Sequence, residues 1–251
     1  MSTSNKTMTL DNVSVKIEEK QILEAINCQL EGQKIYALIG PSGAGKTTLL
    51  QVLAGLQEVI SGKITFAGQS PKEAVISLVP QDYGLLPWQT VKQAILAGRQ
   101  ISLGKQLTAA DKTVVDELLA RMELTQLIDS YPNQLSGGQK QRVAITRGLA
   151  TQSDLLLLDE PFSALDAFTR EKAQQLFLES WQQVKRLTVF VTHDIEEALL
   201  LAHEVIILEA NPGRIKKIVP SPFQDKTRLS DYRQTEQLFT TSLAIRKEIA
   251  G

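Results

Sequence analysis

Glycines at 40, 43 and 45, followed at once by Lys46 and Thr47, constrain this chain more than any other feature. The stretch Gly40-Pro41-Ser42-Gly43-Ala44-Gly45-Lys46-Thr47 follows a short apolar run of strand type, residues 34–39. Thr48 then opens a helical pattern that Gly55 can close. A strand, a glycine-rich turn and a helix in that order read as a phosphate loop. The glycines let the backbone turn sharply and bring N–H groups against phosphate oxygens, and the positive end of the helix faces the same charge. Lys46 would reach the β- and γ-phosphates, and the Thr47 hydroxyl would ligate Mg²⁺.

Length allows one large domain or two small ones, and an apolar content of 43% supports a substantial core. A net charge of −1 and a pI near 6.2 point away from nucleic acid as a partner. Cys28 is the one cysteine, which excludes an internal disulfide and a cysteine-based zinc site and suits a reducing compartment. Residues 1–9 are polar and lack the basic start and apolar core of a signal peptide. No apolar run approaches the ~18 residues that cross a bilayer. A soluble, intracellular protein is expected, with any membrane role exercised through a partner.

Strand-like alternation runs through residues 7–18 and 21–31, an expected antiparallel pair ahead of the loop. Residues 61–68 and 74–79 read as two further strands. Between 83 and 149 the pattern turns helical, with helices expected at 91–97, 109–121 and 137–149 and a mobile loop at 98–105. This is a candidate helical subdomain, about 83–150, inserted into a mixed sheet. The unbroken apolar run Leu155 to Leu158 suits a strand buried on both faces. A helix at 169–185, a buried strand at 188–191 and a helix at 194–202 follow. Residues 204–208 and 214–219 flank the turn Asn211-Pro212-Gly213 as a hairpin. Residues 220–251 form a polar tail expected to end in a helix.

Asp159 and Glu160 end the buried strand as adjacent carboxylates. In phosphate-loop enzymes such a strand is expected to run beside the loop, its terminal Asp holding Mg²⁺, usually through water. Side chains alternate along a strand, so the two carboxylates cannot face the same way. One can serve the metal and the other can act on the attacking water as general base. Ser136-Gly137-Gly138-Gln139 stands just before a helix, where Ser136 is a good N-cap. Those glycines read either as part of an ordinary cap or as a second phosphate-binding helix terminus.

With these residues in order, the chain resembles the nucleotide-binding subunit of an ATP-binding cassette (ABC) transporter over roughly residues 7–219, with 220–251 left as a tail. The resemblance rests on the phosphate loop, Gln81 in the Q-loop, the signature Leu135 to Gln139, Asp159 with Glu160, the D-loop Ser163-Ala164-Leu165-Asp166, and His193 in Val191-Thr192-His193-Asp194. It implies an ABC ATPase fold: a phosphate-loop core sheet, an antiparallel β subdomain and an inserted helical subdomain. It also implies a head-to-tail pair, as a homodimer or with a second cassette. Each ATP would lie between one copy's phosphate loop and the other's Ser136, Gly137, Gly138 and Gln139, with Asp166 nearby. Glu160 would be the base, His193 would contact the γ-phosphate, and Gln81 would reach Mg²⁺ and the water. An integral membrane permease would engage the Q-loop region, and an extracytoplasmic binding protein would act indirectly. The subunit would then be cytoplasmic and peripheral, on the inner face of the membrane.

A narrower resemblance, in Leu85-Leu86-Pro87-Trp88 and Asn211 to Ile215, is to importers of nitrate, sulfonates and taurine. Trp88 is either a permease contact or a core aromatic. The family's adenine-stacking aromatic is replaced here by Ile17, since Tyr36 belongs to the strand before the loop and is expected to be buried. His203 carries no motif and is expected at the surface. An exporter subunit, a soluble non-transport cassette and an inactive regulatory cassette are the rival readings. The intact Lys46, Asp159, Glu160 and His193 weigh against the last.

Overall fold

The computed structural model describes residues 6–223 and 229–250. The first five residues of the polar N-terminal stretch, and positions 224–228 and 251 of the tail, lie outside the described residues. In chain order the first half runs β1 (Met8–Ile17), β2 (Lys20–Leu30), β3 (Ile35–Ile39), α1 (Lys46–Leu53), β4 (Ser61–Phe66), β5 (Ile76–Val79), α2 (Val91–Leu103) and α3 (Ala109–Arg121). The second half runs α4 (Gly137–Ala150), β6 (Leu155–Asp159), α5 (Ala167–Val184), β7 (Leu187–Val191), α6 (Ile195–Leu201), β8 (Glu204–Glu209), β9 (Arg214–Pro220), α7 (Leu229–Arg233) and α8 (Glu236–Ala250). The chain divides into two compact units, Met1–Ala74 with Arg186–Gly251, and Val75–Lys185.

In the first unit, β1 lies between β2 and β4 and is antiparallel to both. Alternation along β1 buries Met8, Leu10, Val13 and Val15, with register shifts where the pattern breaks. The core strand β3 is parallel to β7 on one side and to β8 on the other, and β9 closes the edge antiparallel to β8. Every residue of β3 and β7 is buried, as strands covered on both faces require. The strand that leads to His193, β7, is thus a direct neighbour of the loop's strand. The tail helices α7 and α8 pack against α6 within this unit.

In the second unit, β5 and β6 pair in parallel, and α2 and α3 both pack against α4. Thr90 caps α2 and Thr108 caps α3 in reciprocal capping boxes with Gln93 and Asp111. Most of the expected loop at 98–105 is instead the second half of α2, which runs through Leu103. Gly98 sits inside the helix because a Cβ there would fall 2.9 Å from Arg147 Cγ, so its absence reflects side-chain packing rather than a break. The helix stops at Gly104, in the left-handed region at φ 62.

Candidate nucleotide-binding site

The first unit carries the phosphate loop at the carboxyl end of β3. A Cβ on Gly40 would stand 2.4 Å from the Leu208 carbonyl oxygen, so only glycine lets the chain leave β3 there. Gly45 takes φ 79, and its Cβ would meet Leu23 Cδ2 at 2.6 Å. Lys46 Nζ folds back over the loop and donates to the Gly40 and Pro41 carbonyls at 3.0 and 2.9 Å. α1 has no side-chain cap and no acidic residue in its first turn. The glycine turn and the positive end of α1 fit a nucleotide phosphate. Ser42, Gly43 and Thr47 are exposed, Pro41 and Thr48 are half-buried, and Ala44 is buried beneath them.

His193 is placed by register. Leu38 pairs with Val191 across the parallel β3–β7 ladder, so Gly40 and His193 each stand two residues past the same pair. Thr192 anchors this exit, donating its amide to the Leu38 carbonyl at 3.2 Å and accepting the Asp194 amide on Oγ1 at 3.0 Å. Asp194 then caps α6 through the Glu196 and Glu197 amides. Tyr36 is buried, its hydroxyl accepts the Glu31 amide at 2.8 Å, and burial pushes its phenol up to about 12. Ile17 ends β1 with 42% of its surface exposed. His203 is not a free surface residue. Its Nδ1 accepts the Ile35 amide at 3.0 Å and its own amide donates to the Ile35 carbonyl, which ties β8 to the start of β3. Burial also pushes the Cys28 thiol up to about 12, far from thiolate chemistry at neutral pH.

The second unit repeats the register device. Val79 pairs with Leu158 across β5–β6, so Gln81 and Glu160 each stand two residues past that pair. Gln81 Nε2 lies 3.5 Å from Glu160 Oε2, at the limit of a hydrogen bond. Asp159 is buried at the strand end, whereas Glu160 turns out with φ 48. Arg147 steadies the turn after Gln81, donating from Nη1 to the Gly84 carbonyl and from Nη2 to Tyr83 O at 2.8 Å. A groove of about 310 Å³, lined in part by Ile76, Leu78, Gly98, Ile101 and Arg147, runs alongside β5. Trp88 is 69% exposed, so it is not a core aromatic.

Ser136 caps α4, accepting the Gln139 amide on Oγ at 3.3 Å while its own amide donates to Gln139 Oε1 at 2.8 Å. A Cβ on Gly138 would meet Leu165 Cδ2 at 2.7 Å, which ties the signature turn to the D-loop, whereas a Cβ on Gly137 would make only an ordinary contact with the Tyr83 hydroxyl at 3.9 Å. Asp166 caps α5 through the Thr169 amide, and that bonding holds its carboxyl below the usual range. One buried residue near this turn carried no role in the motifs, Gln141, whose Nε2 donates to the Glu160 carbonyl at 3.2 Å. Its sequence signal was a polar residue in line with Ile145 and Gly148 on the buried stripe of α4.

The family model described as ABC transporter matches residues 23–163. The chain belongs to the ABC transporter family. It is 41% identical over 225 residues to the aliphatic sulfonates import ATP-binding protein SsuB of Bacillus cereus (strain ATCC 10987 / NRS 248), covering 85% of each chain. It is 37% identical over 249 residues to the taurine import ATP-binding protein TauB of Chromobacterium violaceum, covering 96% of this cassette and 94% of the relative. The dimeric structure of MJ0796, a bacterial ABC transporter cassette, superposes with a TM-score of 0.72 at 28% identity, covering 85% of this cassette and 98% of that chain. The cassette is an ATPase of the ABC fold. No described helix is long and apolar enough to cross a membrane.

Proposed function

We propose that this cassette is the ATP-hydrolysing subunit of an importer for small sulfonates such as taurine or an alkanesulfonate, working in pairs on a separate membrane permease. The observation that carries this reading is near full-length similarity to two import subunits whose substrates share a sulfonate group. The cassette would sit in the cytoplasm against the inner face of the membrane, held by the permease, with an external binding protein delivering the solute. Trp88, a large apolar side chain left 69% exposed after Gln81, supports a permease contact in the Q-loop region.

In this reading the amides of residues 40–47 and Lys46 hold the triphosphate, and Thr48 extends that turn of α1. Thr47, Gln81 and Asp159 would hold Mg²⁺. Their hydroxyl, amide and carboxylate oxygens are donors that suit a hard cation, which the nucleotide's phosphates would also ligate. When bound, Mg²⁺ would neutralise charge developing on the β- and γ-phosphate oxygens. Glu160 would take the proton from the attacking water, Gln81 would orient that water, and His193 would contact the γ-phosphate. Ser136, Gly137, Gly138 and Gln139 would close over the nucleotide of the partner copy, with Asp166 setting the adjoining D-loop.

Deleting the encoding gene is expected to abolish uptake of radiolabelled taurine or an alkanesulfonate. The wild-type gene should restore uptake, and Glu160→Gln should not. Uptake that is unchanged on deletion, or restored by Glu160→Gln, would overturn the assignment.

A further inference from the structure

Glu160 has an unusual backbone. At φ 48 it lies in the left-handed region, where a non-glycine residue is uncommon, and Pro161 follows it. Such a conformation persists when its surroundings over-determine it. Here three donors converge on the Glu160 carbonyl: Gln141 Nε2 at 3.2 Å, Ser163 Oγ at 3.0 Å and the Ser163 amide at 3.3 Å. The carbonyl's direction fixes the turn out of β6, and that turn decides where the carboxylate points.

Gln141 is the donor that local turn chemistry does not account for. Its side chain is buried, with the residue 3% exposed, and among the described residues its Oε1 has no hydrogen-bond partner. A half-satisfied buried amide is a poor stabiliser, and an apolar side chain of similar size would serve the core at least as well. What the amide does supply is one bond, 19 residues along the chain, to the carbonyl of Glu160. It does so from α4, little more than a turn beyond the Ser136 cap, so the signature turn and the Glu160 backbone share a rigid element.

We propose that Gln141 is a positioning residue for hydrolysis: carried on the helix that begins at Ser136, its amide fixes the Glu160 carbonyl and the left-handed turn that aims the Glu160 carboxylate. This rests on the reading of Glu160 as the general base. It makes hydrolysis sensitive to the placement of the signature helix of the same chain.

The test is ATP turnover of the full chain carrying Gln141→Leu. Its kcat should fall about tenfold or more while KM for ATP stays within about twofold, as expected when a reacting group is misplaced without loss of binding. The melting temperature should hold or rise, because an unpaired amide oxygen leaves the core. In a Glu160→Gln background, Gln141→Leu should add no further loss in single-turnover rate, since it acts only through that carboxylate. Unchanged kcat, a kcat loss no greater than the loss of folded protein, or an additive loss in the Glu160→Gln background would each overturn the proposal. Gln141→Met, unbranched and of similar length, guards against misfolding, and unfolding of both variants would assign Gln141 to the core and also overturn it. If Glu160→Gln itself turns over normally, the general-base reading fails. If Glu160→Gln is inactive and Gln141→Leu is not, the positioning role alone fails.

Discussion

At the scale of single residues, Ile17 has the clearest consequence for ligand binding. It ends β1 with 42% of its surface exposed, while Tyr36 is 1% exposed and bonded to Glu31. An isoleucine can cover a base with apolar contact but lacks the ring that makes base stacking worth about 1–3 kcal/mol. Binding should then rest mainly on the triphosphate, and ATP and GTP should bind within about tenfold of each other, a gap near 1.4 kcal/mol. Ile17→Tyr should tighten ATP by about fivefold in calorimetry, roughly 1 kcal/mol. Strong preference for ATP with no gain from Ile17→Tyr would show that the base is held elsewhere. The phosphate-loop residues were legible because their geometry is local: eight consecutive residues specify the turn. His203 and Gln141 were not, because their partners, Ile35 and Glu160, lie far along the chain and no local pattern marks either pair.

Among the elements, the helices were read correctly wherever caps and periodicity agreed, as at Thr108 with α3 and Ser136 with α4. They were misread where a glycine served packing, as at Gly98 in α2. The same two helices, α2 and α3, are clamped by a buried ion pair. Arg99 donates from Nε and Nη2 to Asp111 Oδ1 at 3.1 and 2.8 Å, and Arg99 Nη1 reaches the Ala150 carbonyl on α4. Bonds from Thr108, first its hydroxyl and then its amide, followed by Arg99, hold the Asp111 carboxyl at about 2, against an ordinary value of 3.8. A depressed carboxylate stabilises the fold fully above its unfolded value and loses that contribution as pH falls through its folded value. Asp111→Asn should therefore lower the melting temperature at neutral pH, by leaving Arg99 buried without its carboxylate. The gap to wild type should stay constant down to about pH 4 and close toward pH 2. Differential scanning calorimetry across that range checks this; a gap independent of pH would remove Asp111 from the acid response.

For the whole molecule, the order of strands was not legible in the sequence. No pattern in the sequence named the neighbours of β3, which are β7 and β8. Strand order is set by which apolar faces pack together over long range, and β6 and β7 are equally apolar runs that no local pattern ranks. The division of labour between motifs also exceeds what one chain displays. The phosphate loop lies in one compact unit and the signature turn at Ser136 in the other, and the proposed function joins them across two copies. That pairing is the central claim. Light scattering on the Glu160→Gln protein at saturating MgATP tests it most directly, since this variant should retain nucleotide without hydrolysing it. The account predicts a dimer with ATP, a monomer without it, and a monomer in both conditions once Ser136→Arg is added. A Glu160→Gln protein that stays monomeric with MgATP at high protein concentration, or a dimer indifferent to Ser136→Arg, would contradict it.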